Sequence, residues 1–217
     1  MKTYRRAILL CTFSAGLLLV LLWSLFFAGT LRVSRAASNT YTVCPAGPPN
    51  CNFSVIQDAV DAAVNGDLIK VAEGTYTGVN HYSELAQVVY LDKSITIRGG
   101  YTTANWTTSD PVAYPTTLDA GEQGRVLYIT GNITPTIEGF RIINGEAMDL
   151  GSPVGVDAGG GVMIISATAT IKNNYILKNA ANSTHNGDGG GVFLYESDGK
   201  LDGNTIISNT AQRSGVV

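Results

Sequence analysis

The chain has 217 residues, 25 of them glycine, with 14% charged residues and a formal charge of −3. Abundant Ile, Leu and Val exclude a disordered chain despite the glycine. Five of the 14 basic residues (Lys2, Arg5, Arg6, Arg32, Arg35) precede residue 38, where no acid stands, so the remainder carries 9 basic and 17 acidic residues, or −8; a body this acidic excludes sequence-independent nucleic-acid binding, which neutralises phosphates with Lys and Arg.

Residues 1–37 read as an export segment. Met1–Arg6 is basic, and Ala7–Leu31 is a run of 25 residues without a charge. Ala36 and Ala37 are small residues suited to cleavage. The run is longer than an ordinary signal-peptide core and long enough to cross a bilayer. Two readings stand: a cleavable signal peptide, or an N-terminal membrane anchor through residues 7–31. Both carry residues 38–217 out of the cytoplasm by the Sec route, to the cell surface or the extracellular space. Cys11, early in the apolar run, does not read as a lipid-attachment site.

Cys44 and Cys51 flank a turn-rich loop. In an oxidising compartment they read as a disulfide. The rival reading is a metal site, which lacks a neighbouring His or a third Cys. Phe53–Val64 follows as an amphipathic helix. Val55, Ile56, Ala59, Val60 and Ala63 share one face, with Asp58 and Asp61 on the other. Asn52 or Ser54 would cap its start, and Asn65-Gly66 would end it. It reads as a lid on the first turn of the fold, with a partner-binding helix as the alternative. Leu68–Val71 is then a short strand, and Glu73–Tyr76 a turn.

The rest of the chain repeats. Gly159-Gly160-Gly161-Val162 returns thirty residues later as Gly189-Gly190-Gly191-Val192, and Ser214-Gly215 looks like a third start. Ile137, Ile171 and Leu201 fall in one column, Ile142, Ile176 and Ile206 in a second, Ala147, Ala181 and Ala211 in a third. Asn174 pairs with Asn204, and Asn179 with Asn209. Ile97-Arg98-Gly99 aligns with Ile137-Glu138-Gly139. Spacings of 40, 34 and 30 residues fit coils of about 24 residues carrying insertions of variable length. The Ile columns would stack inside. The paired Asn would stack at corners, in left-handed backbone with their amides bonded from coil to coil. The glycine runs would allow sharp corners.

With the amphipathic helix, Gly66–Tyr76, the Ile-x-Gly pairs and the Asn-rich coils, residues 40–217 resemble the right-handed parallel β-helix of the pectin-lyase-like superfamily. Within it, the Gly-Gly-Gly-Val starts and Asn209-Thr210-Ala211 look most like bacterial surface proteins with polymorphic outer-membrane-protein-like repeats. The expected fold is all-β: a right-handed parallel β-helix (solenoid) with an N-terminal amphipathic capping helix. The expected domains are residues 1–37 as signal or anchor and residues 38–217 as the β-helix. The latter is expected to be incomplete at its C-terminus, because Val217 falls where a strand should begin.

Enzymes of the superfamily cleave acidic polysaccharides, but their motifs do not appear. Asn204-Thr205 is followed by Ile206, no Asp-Asp occurs, and neither His81 nor His185 is flanked by glycines. Asp157, Asp188 and Asp202 are candidates for a calcium cluster, with turn residues as the favoured reading. No catalytic residue, metal site or cofactor is assigned. The 101–115 insertion supplies aromatics. Tyr101, Trp106 and Tyr114 are weak candidates for stacking on sugar rings, against the alternative that they cover the flank of the stack. The expected function is therefore an exported structural, adhesive or carbohydrate-binding protein, with polysaccharide or a host or cell surface as partner. The alternative is a lyase or glycoside hydrolase acting on acidic polysaccharide.

Overall fold

The computed structural model of the chain describes residues 37–82, 85–153, 155–182 and 186–212. Residues 1–36, on which the export reading and Cys11 fall, and likewise His185, Ser214 and Val217, lie outside the described residues. Among the described residues no helix is long and apolar enough to cross a membrane.

The described residues are all-β with one short helix. In chain order come β1 (Thr40–Val43), α1 (Ile56–Ala62), β2 (Leu68–Ala72), β3 (Gly74–Thr77), β4 (Asn80–Tyr82), β5 (Leu85–Leu91), β6 (Thr96–Tyr101), β7 (Thr116–Asp119) and β8 (Arg125–Thr130). They are followed by β9 (Thr136–Glu138), β10 (Phe140–Ile143), β11 (Asp157–Ala158), β12 (Val162–Ile165), β13 (Thr170–Lys172), β14 (Tyr175–Leu177), β15 (Gly187–Asp188), β16 (Val192–Tyr195), β17 (Lys200–Asp202) and β18 (Thr205–Ile207). Three long sheets form, in the orders β1-β2-β6-β9-β13-β17, β3-β7-β10-β14-β18 and β4-β5-β8-β12-β16. From β2 onward the chain visits the first, second and third sheet in rotation. All pairings in them are parallel except β4 with β5.

Register explains the repeating columns. Ile69, Ile97, Ile137 and Ile171 are successive partners in the first sheet and are all buried. Ile142 and Ile176 do the same in the second sheet. A fully buried Ile contributes roughly 2–3 kcal/mol. The same position must therefore stay apolar in every turn of chain, because each Ile packs in one core cluster with its column neighbours and with residues of the other two sheets. Leu201 and Ile206 continue the columns but are about 40% exposed, since β17 and β18 are the outermost strands of their sheets among the described residues.

The helix is shorter than its pattern. It starts at Ile56, with Val55 at the cap position and no side-chain cap. Asn52 does not cap it because Asn52 Oδ1 accepts instead from Thr42 N and Oγ1, at 2.8 and 2.9 Å. Ile56, Ala59, Val60 and Ala63 are buried against the first strands, whereas Val55 is exposed. The helix has no basic residue in its last turn. Lys93, thirty residues on, fills that role: Nζ donates to the carbonyls of Val60, Asp61 and Ala63 at 2.9, 2.9 and 3.0 Å.

Three other expectations are corrected. Gly74–Thr77 is a strand rather than a turn, because it pairs in parallel with β7. Asp157, Asp188 and Asp202 lie in the strands β11, β15 and β17, not in turns, and the first two are offset in register: Asp157 faces Gly187, and Asp188 faces Ala158. The stacked asparagines are not left-handed. That conformation falls on the residue before each of them, at Asn173, Lys178, Gly203 and Ser208, with φ between 53° and 63°.

The glycine runs have two duties. Gly159 and Gly189 turn the chain at φ 68° and 60°. Gly160 and Gly190 lie against carbonyls, where an added Cβ would stand 1.9 Å from Ala180 O and Thr210 O. An added Cβ at Gly159 and Gly189 would also stand 2.9 Å from Met163 Cα and 2.5 Å from Val192 O, so none of the four positions has room for a side chain.

Candidate functional site

A polar cleft of about 460 Å³ lies between the first sheet and the 102–115 insertion. Its floor follows from register. Arg98 on β6 faces Glu138 on β9, which faces Lys172 on β13. These residues alternate along their strands with the buried Ile column, so they belong to the outer face.

The insertion is stapled over this floor. Ser109 Oγ donates to Gly99 O and Asp110 N donates to Gly100 O, both at 2.7 Å. Lys70 Nζ donates to Trp106 O at 2.6 Å. The recurring Ile-x-Gly gains its meaning here. A Cβ on Gly100 would stand 2.6 Å from Pro111 N, and one on Gly99 would stand 2.5 Å from Gly139 O. The glycines after Arg98 and Glu138 let the insertion and the neighbouring strand come that close. Inside the insertion, Asp110 Oδ1 accepts from Val112 N and Ala113 N, and Asn105 Oδ1 accepts from Thr107 N, which fixes its turns.

Glu138 is the electrostatic centre. It accepts from Arg98 Nε at 2.8 Å and from Asn173 Nδ2 at 3.2 Å, and Lys172 Nζ stands 3.6 Å away. For Arg98, burial disfavours the charge, but hydrogen bonding and charge interaction with Tyr101 and Glu138 outweigh it and raise its pKa. Arg98 is therefore a permanent cation. Lys70 and Lys172 stand beside Arg98 and Glu138 in the same register row, outside the cleft's lining residues, so three basic groups surround one carboxylate in a body of the opposite sign.

The three aromatic candidates part company. Tyr101 lines the cleft but is 2% exposed, and its ring is covered by Trp106 at 6.1 Å and by Lys70 Nζ at 5.4 Å. Trp106 packs against Cys44, Cys51 and Ala72. Cys44 and Cys51 are joined as a disulfide. Tyr114 is 40% exposed and is not among the cleft's lining residues. The structure thus brings Tyr101 and Trp106 together, closes Tyr101 to a stacking ligand, and leaves Tyr114 apart. A further aromatic ladder, which the sequence did not single out, runs through Tyr82, Tyr90 and Tyr128 with centroids 4.4 and 5.7 Å apart. Its rings face one another, so their faces are largely spent on the ladder.

The acidic candidates do not converge. Asp157 Oδ1 and Oδ2 are taken by Gly151 N, Asp149 N and Asn182 Nδ2. Asp202 pairs with Lys200 at 3.2 Å. Among the described residues no group of three or more His, Cys, Asp or Glu is placed to hold a metal ion. No family model, no curated protein and no solved structure matches the chain.

Proposed function

We propose that the body is a right-handed parallel β-helix of the pectin-lyase-like kind, with α1 as the cap on its first coil. In this reading it is exported to the cell surface or beyond and acts as a non-catalytic module, whose cleft over the first sheet binds a carbohydrate. The rotation of the chain through three parallel sheets supports the architecture. The acidic body and the apolar run at residues 7–31 support export.

The observation that carries binding over cleavage is the state of Glu138. A glycosidase needs two carboxylates at a fixed separation, one of them free to take or give a proton. Glu138 is the cleft's one carboxylate, and it is bonded to Arg98 and Asn173 beside Lys172. An eliminating lyase of the resembled kind needs an arginine able to lose its proton. Arg98 is shifted away from that, and Arg125, which burial pushes down to about 10, is 0% exposed. What the cleft offers instead is rigid hydroxyls and guanidinium, suited to sugar hydroxyls and acid groups.

Calorimetry of the full chain with neutral and uronate oligosaccharides tests this reading, beside a product-release assay with and without calcium. Saturable binding that Arg98→Ala weakens at least tenfold, without product release, is the expected result. Uronic-acid release would replace it with the lyase or hydrolase reading. Absence of binding to every oligosaccharide would leave a structural role.

A further inference from the structure

Two fully buried polar side chains stand side by side on the third sheet. Gln87 on β5 and Arg125 on β8 are direct register partners, and each is 0% exposed. Neighbouring strands lie about 4.8 Å apart, and direct partners project to the same face. Burial pushes the Arg125 pKa down only to about 10, so it keeps its charge at neutral pH.

Arg125 Nε donates to Ala158 O at 2.8 Å, and Nη2 donates to Gly151 O. Those carbonyls occupy one edge of the planar guanidinium. Nη1, on the other side, has no partner among the described residues. Gln87 Nε2 donates to Asn80 O at 3.1 Å. Turning the amide over would set Oε1 against that carbonyl, acceptor on acceptor, so its orientation is fixed. Gln87 Oε1 is left as an acceptor without a partner among the described residues. The two orphaned atoms are thus a donor and an acceptor, at one step of the same sheet.

We infer that Gln87 Oε1 and Arg125 Nη1 share one internal water molecule. The class of ligand follows from the two atoms. It must accept from the guanidinium and donate to the amide oxygen. A halide or carboxylate has no proton for Oε1, and a metal cation is repelled by Arg125. Water does both, and its size suits a position closed to bulk solvent. The water completes the hydrogen bonding that orients the guanidinium. The guanidinium in turn holds Gly151 O and Ala158 O, and Gly151 lines a polar pocket of about 270 Å³ with Asp149 and Asp157. Gln87 is therefore a positioning residue for Gly151 and Ala158, acting through water and Arg125.

A crystal structure of the full chain that resolves ordered solvent tests the inference. One solvent peak within hydrogen-bond distance of Gln87 Oε1 and Arg125 Nη1 is expected. A direct Gln87–Arg125 bond, a gap without a peak, or a peak that acquires anomalous signal after bromide soaking would overturn it. In solution, oxygen-17 relaxation dispersion counts long-lived internal waters. The double variant Gln87→Leu with Arg125→Met should lose one, and an unchanged count would sink the proposal. The wild-type crystal decides by itself if that variant does not fold.

Discussion

Asn179 donates its backbone amide and its side-chain amide to the same oxygen, Oδ1 of Asn209 thirty residues on, at 3.0 and 2.9 Å. Asn174 makes the same pair of bonds to Asn204. Each Asn also reaches the other way. Asn179 Oδ1 accepts from Gly145 N, and Nδ2 donates to Ile142 O. One side chain thus satisfies the backbone of two turns of chain at a corner where the strands have ended and no ladder bond is available.

Asn179→Ala should therefore cost far more than the loss of one hydrogen bond. Asn179 is 1% exposed, so Gly145 N and Ile142 O would be stranded away from water, at about 1–3 kcal/mol each. A loss of roughly 2–5 kcal/mol in urea unfolding is expected. Asn209→Ala, at a half-buried position in the last corner, should cost less than half as much. Equal losses would show that the corner bonds do not carry this energy.

The Asn columns were legible in the sequence for the same reason. A chain that returns to each sheet in register needs one residue type at one position, so Asn174/Asn204 and Ile137/Ile171 are visible as periodic identity. The backbone conformation beside them was not. The left-handed residue is the one before each Asn, which swings the amide into the stack, and at Lys178 and Ser208 no residue type announces it. Glu73–Tyr76 read as a turn because the strand that pairs with Gly74–Thr77 lies more than forty residues away. The cleft was half legible. Aligning Ile97-Arg98-Gly99 with Ile137-Glu138-Gly139 already set Arg98 opposite Glu138. Only the docked insertion shows that this pair is a floor.

Lys93→Met should destabilise the fold by about 1–2 kcal/mol. The substitution keeps the apolar stem and removes the charge that Val60 O, Asp61 O and Ala63 O share. Those carbonyls end α1, whose buried side packs on the first strands. The loss should appear in thermal unfolding, and hydrogen exchange at α1 should rise ahead of exchange in the sheets. A variant as stable as the parent would mean that water caps the helix equally well.

Acid should weaken the fold through Asp67. Hydrogen bonding from Val64 N lowers its pKa most; burial opposes this, and a further bond from Asn39 N supports it. With the folded pKa below the unfolded one, its contribution is complete above the ordinary carboxylate value of about 4 and is lost as pH falls through the folded pKa. Glu146 works in the opposite sense. Burial raises its pKa, so its contribution is present below the unfolded value and is lost as pH rises through the folded one. Melting temperature followed from pH 6 downward should fall below about pH 4 in the parent, and less steeply in Asp67→Asn. A slope that Asp67→Asn leaves intact would assign the acid sensitivity elsewhere.

Glu138→Gln separates recognition from stability in the cleft. The Arg98–Glu138 pair is partly exposed, with side-chain exposures of 38% and 17%. Exposed ion pairs contribute about 0–1 kcal/mol, so the substitution should barely move the melting temperature. It does remove the only carboxylate among the cleft's lining residues and frees Arg98 and Lys172 from it. Under the proposed function, affinity for a uronate oligosaccharide should rise several-fold, and the gain should shrink with added salt, because the new attraction is between screened charges. Neutral oligosaccharides should bind unchanged. If Glu138→Gln weakens both ligands alike, Glu138 contacts the sugar directly. The cleft then selects by hydroxyl pattern rather than by charge.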